Sequence, residues 1–231
     1  MRFEEGAVAA FPQILDDSLD FPDPRDAVEM DGFDGLVAIG GDLSVPRLLN
    51  AYRAGVFPWT SPLITWWSPD PRAIIELDRF HIPRSVKRLL RQQPFEVTID
   101  RDFRSVIEGC AAPAPGRRKT WISSQFIKAY TQLHDAGHAH SVECWLDGAL
   151  VGGVYGVSVG GLFAGESMFH RVTGASKIAL VHLVEHLRAR GYMLFDIQIM
   201  TPTTALFGAI NVSRDEYLER LAKVVDLPVE F

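Results

Sequence analysis

The sequence predicts an α+β chain. A small irregular N-terminal domain spans residues 1–72, and a regular mixed-sheet domain spans 73–231. Three observations carry this reading. Residues up to about 72 are rich in Pro, Gly and Trp, with little periodicity. A meander follows later: "SVECWL" turns at Asp147-Gly148 into "ALVGGVYGVSV", and Gly160-Gly161 turns that into "LFAGESMF". Asp-Gly between apolar runs is a strong hairpin signal because both turn positions need positive φ. Finally, "KIALVHLVEHLRARG" joins the meander to one last apolar run, "GYMLFDIQIM", a strand-helix-strand order that commonly returns to the same sheet.

In the first region, Ser44 can cap a short helix with Pro46 in its first turn. Leu48, Leu49 and Tyr52 give it an apolar face and Gly55 ends it; the rest reads as loop. Further on, "AIIEL" and "FEVTID" read as strands, and "RDFRSVIEGCAA" and "SSQFIKAYTQLHDAG" as helices, the second capped by Ser123 or Ser124. In the helix before the last strand, Ile178, Val181, Leu183, Val184 and Leu187 form the buried face and Gly191 closes it.

The 231 residues, 47% of them hydrophobic, suffice for a sizeable core. No apolar run is long enough for a membrane span, and "MRFEEGAVAAFPQILDD" lacks the pattern of a signal peptide. With two isolated cysteines, Cys110 and Cys144, the expectation is a reduced, cytoplasmic protein. The seven histidines show no ligand spacing, so no metal is expected. A net charge of −6 argues against a generic polyanion binder, yet two basic patches stand out. One is "GRRK", with Arg117, Arg118 and Lys119. The other is "HIPRSVKRLLR", where helical spacing puts Arg84, Lys87, Arg88 and Arg91 on one stripe opposite Ile82, Val86, Leu89 and Leu90. A solvated helix face is the plainer account of that stripe.

The polar residues of the last two strands matter more. Strand side chains alternate, so Asp196 and Gln198 should share one face with Tyr192 and Leu194, while Ile197 points away. By the same rule Leu162, Ala164, Glu166 and Met168 share a face. Burying a carboxylate and an amide unpaired costs several kcal/mol, so these groups either satisfy one another in a core network or face a cleft. A cleft holding Glu166, Asp196 and Gln198 suits acid-base chemistry or recognition of an amine. Trp59, Trp66 and Trp67 lie within nine residues, and Trp121 follows "GRRKT"; aromatic rings beside basic side chains can stack nucleobases, or simply glue an irregular domain to its neighbour.

The ordered motifs "GLVAIGGDLS", "AYRAGVFPW", "WWSPDPRA", "TWI", "HDAGHAHSVECW", "LVGGVYGV", "GESMF", "ASKIAL" and "FDIQ…GA" resemble the bacterial leucyl/phenylalanyl-tRNA–protein transferase family, from about residue 30 to 220. The resemblance implies transfer of Leu or Phe, with some Met, from aminoacyl-tRNA to N-terminal Arg or Lys of a protein, marking it for N-degron degradation. It also implies a C-terminal domain like the Gcn5-related N-acetyltransferases, no cofactor, and a monomer whose partners are Leu-tRNA, Phe-tRNA and acceptor proteins.

Carried over by position, Glu166 is similar to the glutamate that contacts the aminoacyl amino group, and Asp196 and Gln198 to the catalytic pair. Trp59 and Trp121 are similar to the tryptophans holding the terminal adenosine, and Val154, Phe163, Met168 and Leu183 to residues around the amino-acid pocket. The basic helix is similar to the acceptor-stem contact. Three positions depart from the pattern: Ile197 where Cys is usual, Thr203 where His is frequent, and Val154 where Met is frequent. Two other readings stay open, a CoA-dependent acyltransferase suggested by "RVTGAS", and a non-catalytic RNA- or degron-binding adaptor.

Overall fold

A computed structural model describes residues 11–30, 32–59, 63–92, 94–113 and 120–231. The "GRRK" patch lies outside the described residues.

The N-terminal region is more regular than its composition implies. Strands β1 (Gln13–Leu15), β2 (Val28–Met30) and β3 (Phe33–Gly40) come first, then helix α1 (Val45–Arg53), then β4 (Phe57–Trp59) and β5 (Thr65–Trp67). They form one sheet in the order β1-β3-β5-β4, with β2 also paired to β3. The expected irregular domain is therefore corrected to a sheet. It escaped the pattern because four of its strands have three residues each, and because the middle of β3, Gly35 to Ala38, is buried throughout and shows no alternation. Helix α1 follows expectation: Ser44 precedes it, Leu48 and Tyr52 are buried, and Gly55 ends it at φ +78°. The Ser44 side chain makes no cap bond; instead its N–H donates to Asp42 Oδ1 at 2.7 Å.

The rest of the chain builds a seven-stranded sheet. Its elements are β6 (Arg72–Ile75), α2 (Arg84–Gln92), β7 (Glu96–Ile99), α3 (Phe103–Ala111), α4 (Ser124–Asp135), β8 (Ala139–Leu146), β9 (Ala149–Val159), β10 (Leu162–His170), α5 (Ala175–Arg190), β11 (Leu194–Gln198), α6 (Pro202–Leu206), β12 (Ile210–Val212) and α7 (Arg214–Val224). The strand order is β12-β6-β11-β10-β9-β8-β7. The β8–β9 turn has Asp147 and Gly148 at φ +51° and +75°, as the Asp-Gly signal requires. Helix α5 carries the chain from β10 to β11, and these two strands are parallel neighbours. α5 packs its apolar side into one core of the sheet, and α3 and α4 pack theirs into the other. One apolar core lies under α5, around Phe163, Leu183 and Phe195. The second runs without interruption from Leu36 and Trp66 of the first sheet to Phe126, Tyr130 and Val157.

Two interruptions in strand register position the site. β10 pairs with β9 through Gly165↔Gly156 and resumes at Ser167↔Tyr155, leaving Glu166 as an extra, bulged residue. β11 pairs with β6 at Asp196↔Ile74 and next at Gln198↔Ala73, so Ile197 is the extra residue there. The parallel pairing of β10 with β11 runs from Leu162↔Leu194 to Ala164↔Asp196 and goes no further.

Candidate active site

Beyond Ala164 and Asp196 the two parallel strands are joined by side chains rather than backbone. Gln198 Nε2 donates to Glu166 Oε1 at 2.7 Å across the opening. The Tyr52 hydroxyl, from α1, donates to the same oxygen at 2.8 Å, and the Tyr130 hydroxyl, from α4, reaches Oε2 at 3.3 Å. The two tyrosine hydroxyls are 2.6 Å apart. Glu166 is half-buried, and removal from water pushes its carboxyl up to about 7. The Asp196 charge pushes the same way, while the bonds from Tyr52, Gln198 and Tyr130 pull it down. Burial, with the neighbouring Glu166, holds the Tyr52 and Tyr130 phenols well above their ordinary range, so both stay protonated donors.

Asp196 is fully buried and differently engaged. Its Oδ1 accepts from Arg72 Nε at 2.9 Å and from the Gln198 backbone N–H at 2.8 Å. Its Oδ2 accepts from Arg72 Nη2 at 2.6 Å and from the Tyr217 hydroxyl at 3.0 Å. Both oxygens are thus doubly occupied, within a bidentate buried ion pair. The Gln198 backbone, whose N–H Asp196 accepts, sits at φ +63°, a conformation rare for a residue with a side chain.

A cleft of about 260 Å³ opens beside Glu166 and Gln198, lined also by Phe57, Pro58, Trp59, Trp121, Ile197, Ile199 and Thr201. Glu166 is the one ionisable side chain among these lining residues. The structure therefore brings together Glu166, Gln198, Trp59 and Trp121, but Asp196 lies behind the cleft, touching Gln198 through the backbone. Two face assignments made from strict alternation need correction. The bulges and the positive φ break the expected shared face of Asp196 and Gln198 and bring Ile197 into the cleft lining, not away from it. Met168 pairs with Val154 and packs on the α5 side, whereas Leu162 and Ala164 lie in the opposite core.

Val154, Phe163 and Leu183 are buried, and half-buried Met168 packs against them in the core under α5. None of these four lines the cleft. Ile197 belongs to both, lining the cleft and packing on that core. Arg84, Lys87, Arg88 and Arg91 are all exposed on α2, with Val86 buried beneath them. Elsewhere Asp100, His134 and His140 converge, but His140 Nδ1 lies 2.7 Å from Asp100 Oδ2 and His134 Nδ1 lies 2.7 Å from the Ala139 carbonyl, so each ring already has a protein partner.

Arg72, Tyr217, Tyr52 and Tyr130 were not singled out as site residues from the sequence. Arg72 falls just before the expected strand "AIIEL", and Glu143, Glu166 and Asp196 all sit in apolar strands, so the sequence alone does not pair Arg72 with Asp196.

Residues 74–222 match the leucyl/phenylalanyl-tRNA protein transferase family and residues 41–70 its N-terminal domain. The leucyl/phenylalanyl-tRNA–protein transferase of Pseudomonas fluorescens is 49% identical over 91% of this chain and 93% of its own length. Those of Nitratidesulfovibrio vulgaris and Pectobacterium carotovorum are 50% and 48% identical, over 89% and 94% of this chain and 87% and 92% of theirs. A solved chain described as "The structure of L-PGS from Bacillus licheniformis" superposes with a TM-score of 0.46 at 10% identity, over 68% of this chain and 65% of that one. The class these relatives define is the aminoacyltransferases. Within it, the chain belongs to the leucyl/phenylalanyl-tRNA–protein transferase family.

Proposed function

We propose that this enzyme transfers Leu or Phe from aminoacyl-tRNA to the α-amine of proteins beginning with Arg or Lys, in the cytoplasm and as a monomer, marking them for N-degron degradation. The observation that carries the site assignment is the Gln198–Glu166 bond across the β10–β11 opening, beside the two tryptophans. Trp59 and Trp121 hold the terminal adenosine. With Nε2 committed to Glu166, the Gln198 carbonyl oxygen is the group that accepts a hydrogen bond from the attacking amine; a glutamine does not titrate, so it positions rather than deprotonates. The amine lone pair forms the C–N bond and the ester C–O bond breaks. The proton shed by the amine ends on the departing ribose hydroxyl, with the Glu166 carboxylate carrying it between them. Asp196 lies behind the cleft with both its oxygens already doubly engaged, so the amine meets Gln198 and Glu166 instead. The activated ester needs no cofactor or metal for this step.

The amino-acid side chain reaches past Ile197 toward Val154, Phe163, Met168 and Leu183. Arg84, Lys87, Arg88 and Arg91 contact the tRNA acceptor stem; their exposure on one helix supports this. A second cleft, of about 350 Å³, shares Ile199 with the first and contains Glu29, Asp34 and Asp70. Its acidity supports a basic first residue in the acceptor, although Arg214 already pairs with Asp34 at 2.8 Å. We further propose two domains, 1–72 and 73–231, the second of the Gcn5-related N-acetyltransferase type, with Arg72 at the boundary opening β6 of the second sheet. The parallel strands that part after Ala164 and Asp196, joined through α5, support that assignment.

A transfer assay tests the reaction, with labelled Leu-tRNA and Phe-tRNA and peptides beginning with Arg, Lys, Asp or Glu. Label should pass to the Arg and Lys peptides. Binding of charged tRNA without mass gain on any peptide would overturn transfer in favour of an adaptor.

A further inference from the structure

Arg72 is a strand residue at 1% exposure whose guanidinium is used on every side. Nε and Nη2 grip the two Asp196 oxygens at 2.9 and 2.6 Å, and Nη1 donates to the Gly55 carbonyl at 3.2 Å. The Phe57 and Tyr217 rings lie 4.9 and 4.3 Å from its central carbon. The Tyr217 hydroxyl is 3.4 Å from Nη2 and donates to Asp196 Oδ2 at 3.0 Å. Gly55 leads into β4, which opens at Phe57 and ends at Trp59. Asp196 Oδ1 in turn accepts the Gln198 N–H and fixes its left-handed backbone. One buried cation therefore joins the strand bearing one wall of the cleft to the residue that crosses its floor.

We propose that Arg72 is the positioning residue that sets Gln198 against Trp59, and that Tyr217 locks it in place. Arg72 does not line the cleft; it acts through Asp196, and through the Gly55 carbonyl and the Phe57 ring at the start of β4. The geometry it needs is specific to a guanidinium. A bidentate grip on one carboxylate plus a third bond to a carbonyl requires a planar fork, which a lysine ammonium lacks. The consequence lies in catalysis, since misplacing a reacting group by about 1 Å costs on the order of 100-fold in rate.

The proposal rests on the assignment of Gln198 above, and a double-mutant cycle keeps the two apart. Arg72→Lys, Tyr217→Phe, Gln198→Ala and both combinations are assayed by single-turnover transfer, with thermal unfolding of each variant. Arg72→Lys should lower the rate by about 10- to 100-fold and Tyr217→Phe by about 3- to 10-fold. In the Gln198→Ala background each should have less than about a threefold further effect, because residues acting as a unit are non-additive. Amide exchange over 194–200 should quicken in both single variants even where residual activity is too low to measure. Equal losses in both backgrounds, or a full rate in folded Tyr217→Phe together with Arg72→Lys, would overturn the positioning role. Full activity of Gln198→Ala alone would instead overturn the site assignment, and the positioning role with it.

Discussion

Removing the Tyr52 hydroxyl should move the pH dependence of transfer in a direction the hydrogen-bond geometry dictates. The Tyr52 hydroxyl sits 2.8 Å from Glu166 Oε1 and stabilises the ionised form of a carboxyl that burial has pushed up to about 7. The working form is the carboxylate, so wild-type activity should rise with pH around that value, from about one-tenth ionised at pH 6 to about nine-tenths at pH 8. A hydrogen bond to a charged acceptor is worth about 1.5–3 kcal/mol, and one pKa unit corresponds to about 1.4, so Tyr52→Phe should raise the midpoint to about 8–9. At pH 7 this lowers kcat/KM by about 5- to 50-fold, while at pH 9 the two enzymes should agree within about twofold. The acceptor amine also titrates, near 8, but the ratio of variant to wild type at each pH cancels it. Asp196→Asn should shift the midpoint the other way, because the Asp196 charge raises Glu166. The linked stability has its own sign. A carboxyl whose folded pKa lies above its unfolded value contributes fully below about 4.3 and loses that contribution as pH rises toward 7. Glu166→Gln should therefore become more stable relative to wild type by up to about 3 kcal/mol between pH 4 and 8, measured by urea unfolding. A Tyr52→Phe to wild-type ratio that stays flat from pH 6 to 9 would refute Glu166 as the titrating group.

Three further outcomes follow from the same geometry. Lys87→Ala with Arg88→Ala should weaken charged-tRNA binding and reduce the slope of log K against log salt by about 1.5–2, leaving aminoacyl-adenosine binding little changed; equal losses for both ligands would count against α2 as a tRNA contact. Ile197→Cys and Val154→Met should each change the ratio of Leu, Phe and Met transfer several-fold, within the ~1–3 kcal/mol that a methylene-sized change in an apolar pocket allows; constant ratios would remove that position from the pocket wall. Glu29→Gln with Asp70→Asn should raise KM for an Arg-starting peptide several-fold and leave KM for Leu-tRNA unchanged, and an unchanged peptide KM would separate the acidic cleft from acceptor binding.

Much of the larger sheet was legible because its signals are local. Asp147-Gly148 specified a hairpin, Ser123 accepts from the Phe126 N–H at the start of α4, and the apolar positions of α5 fall in the core as their spacing implies. The first sheet was not legible, since three-residue strands are too short to show a period and β3 is covered through its middle. In the site, Glu166 and Gln198 could be found as polar residues misplaced in apolar strands. Arg72 and Tyr217 lie 124 residues before and 21 after Asp196, and only the tertiary fold makes them its partners.

The errors of face have one cause, and it bears on how the site arises. A strict period of two puts Asp196 and Gln198 together and turns Ile197 away; one extra residue in β11 reverses that alternation. The same happens in β10, where Glu166 is the extra residue. Had both strands kept register, β10 and β11 could have continued their ladder past Ala164 and Asp196, and backbone bonds would have filled the space the cleft occupies. The bulges end that ladder and leave Glu166 and Gln198 to close the gap with side chains, which can exchange partners with a substrate where a backbone ladder cannot. Holding Gln198 at positive φ requires acceptors fixed from behind, and this is what the Arg72–Asp196 pair supplies. A buried ion pair is weak evidence for stability, since an apolar replacement is often as stable. Its place here is better explained by the conformation it imposes one bond away, on the residue that faces the cleft.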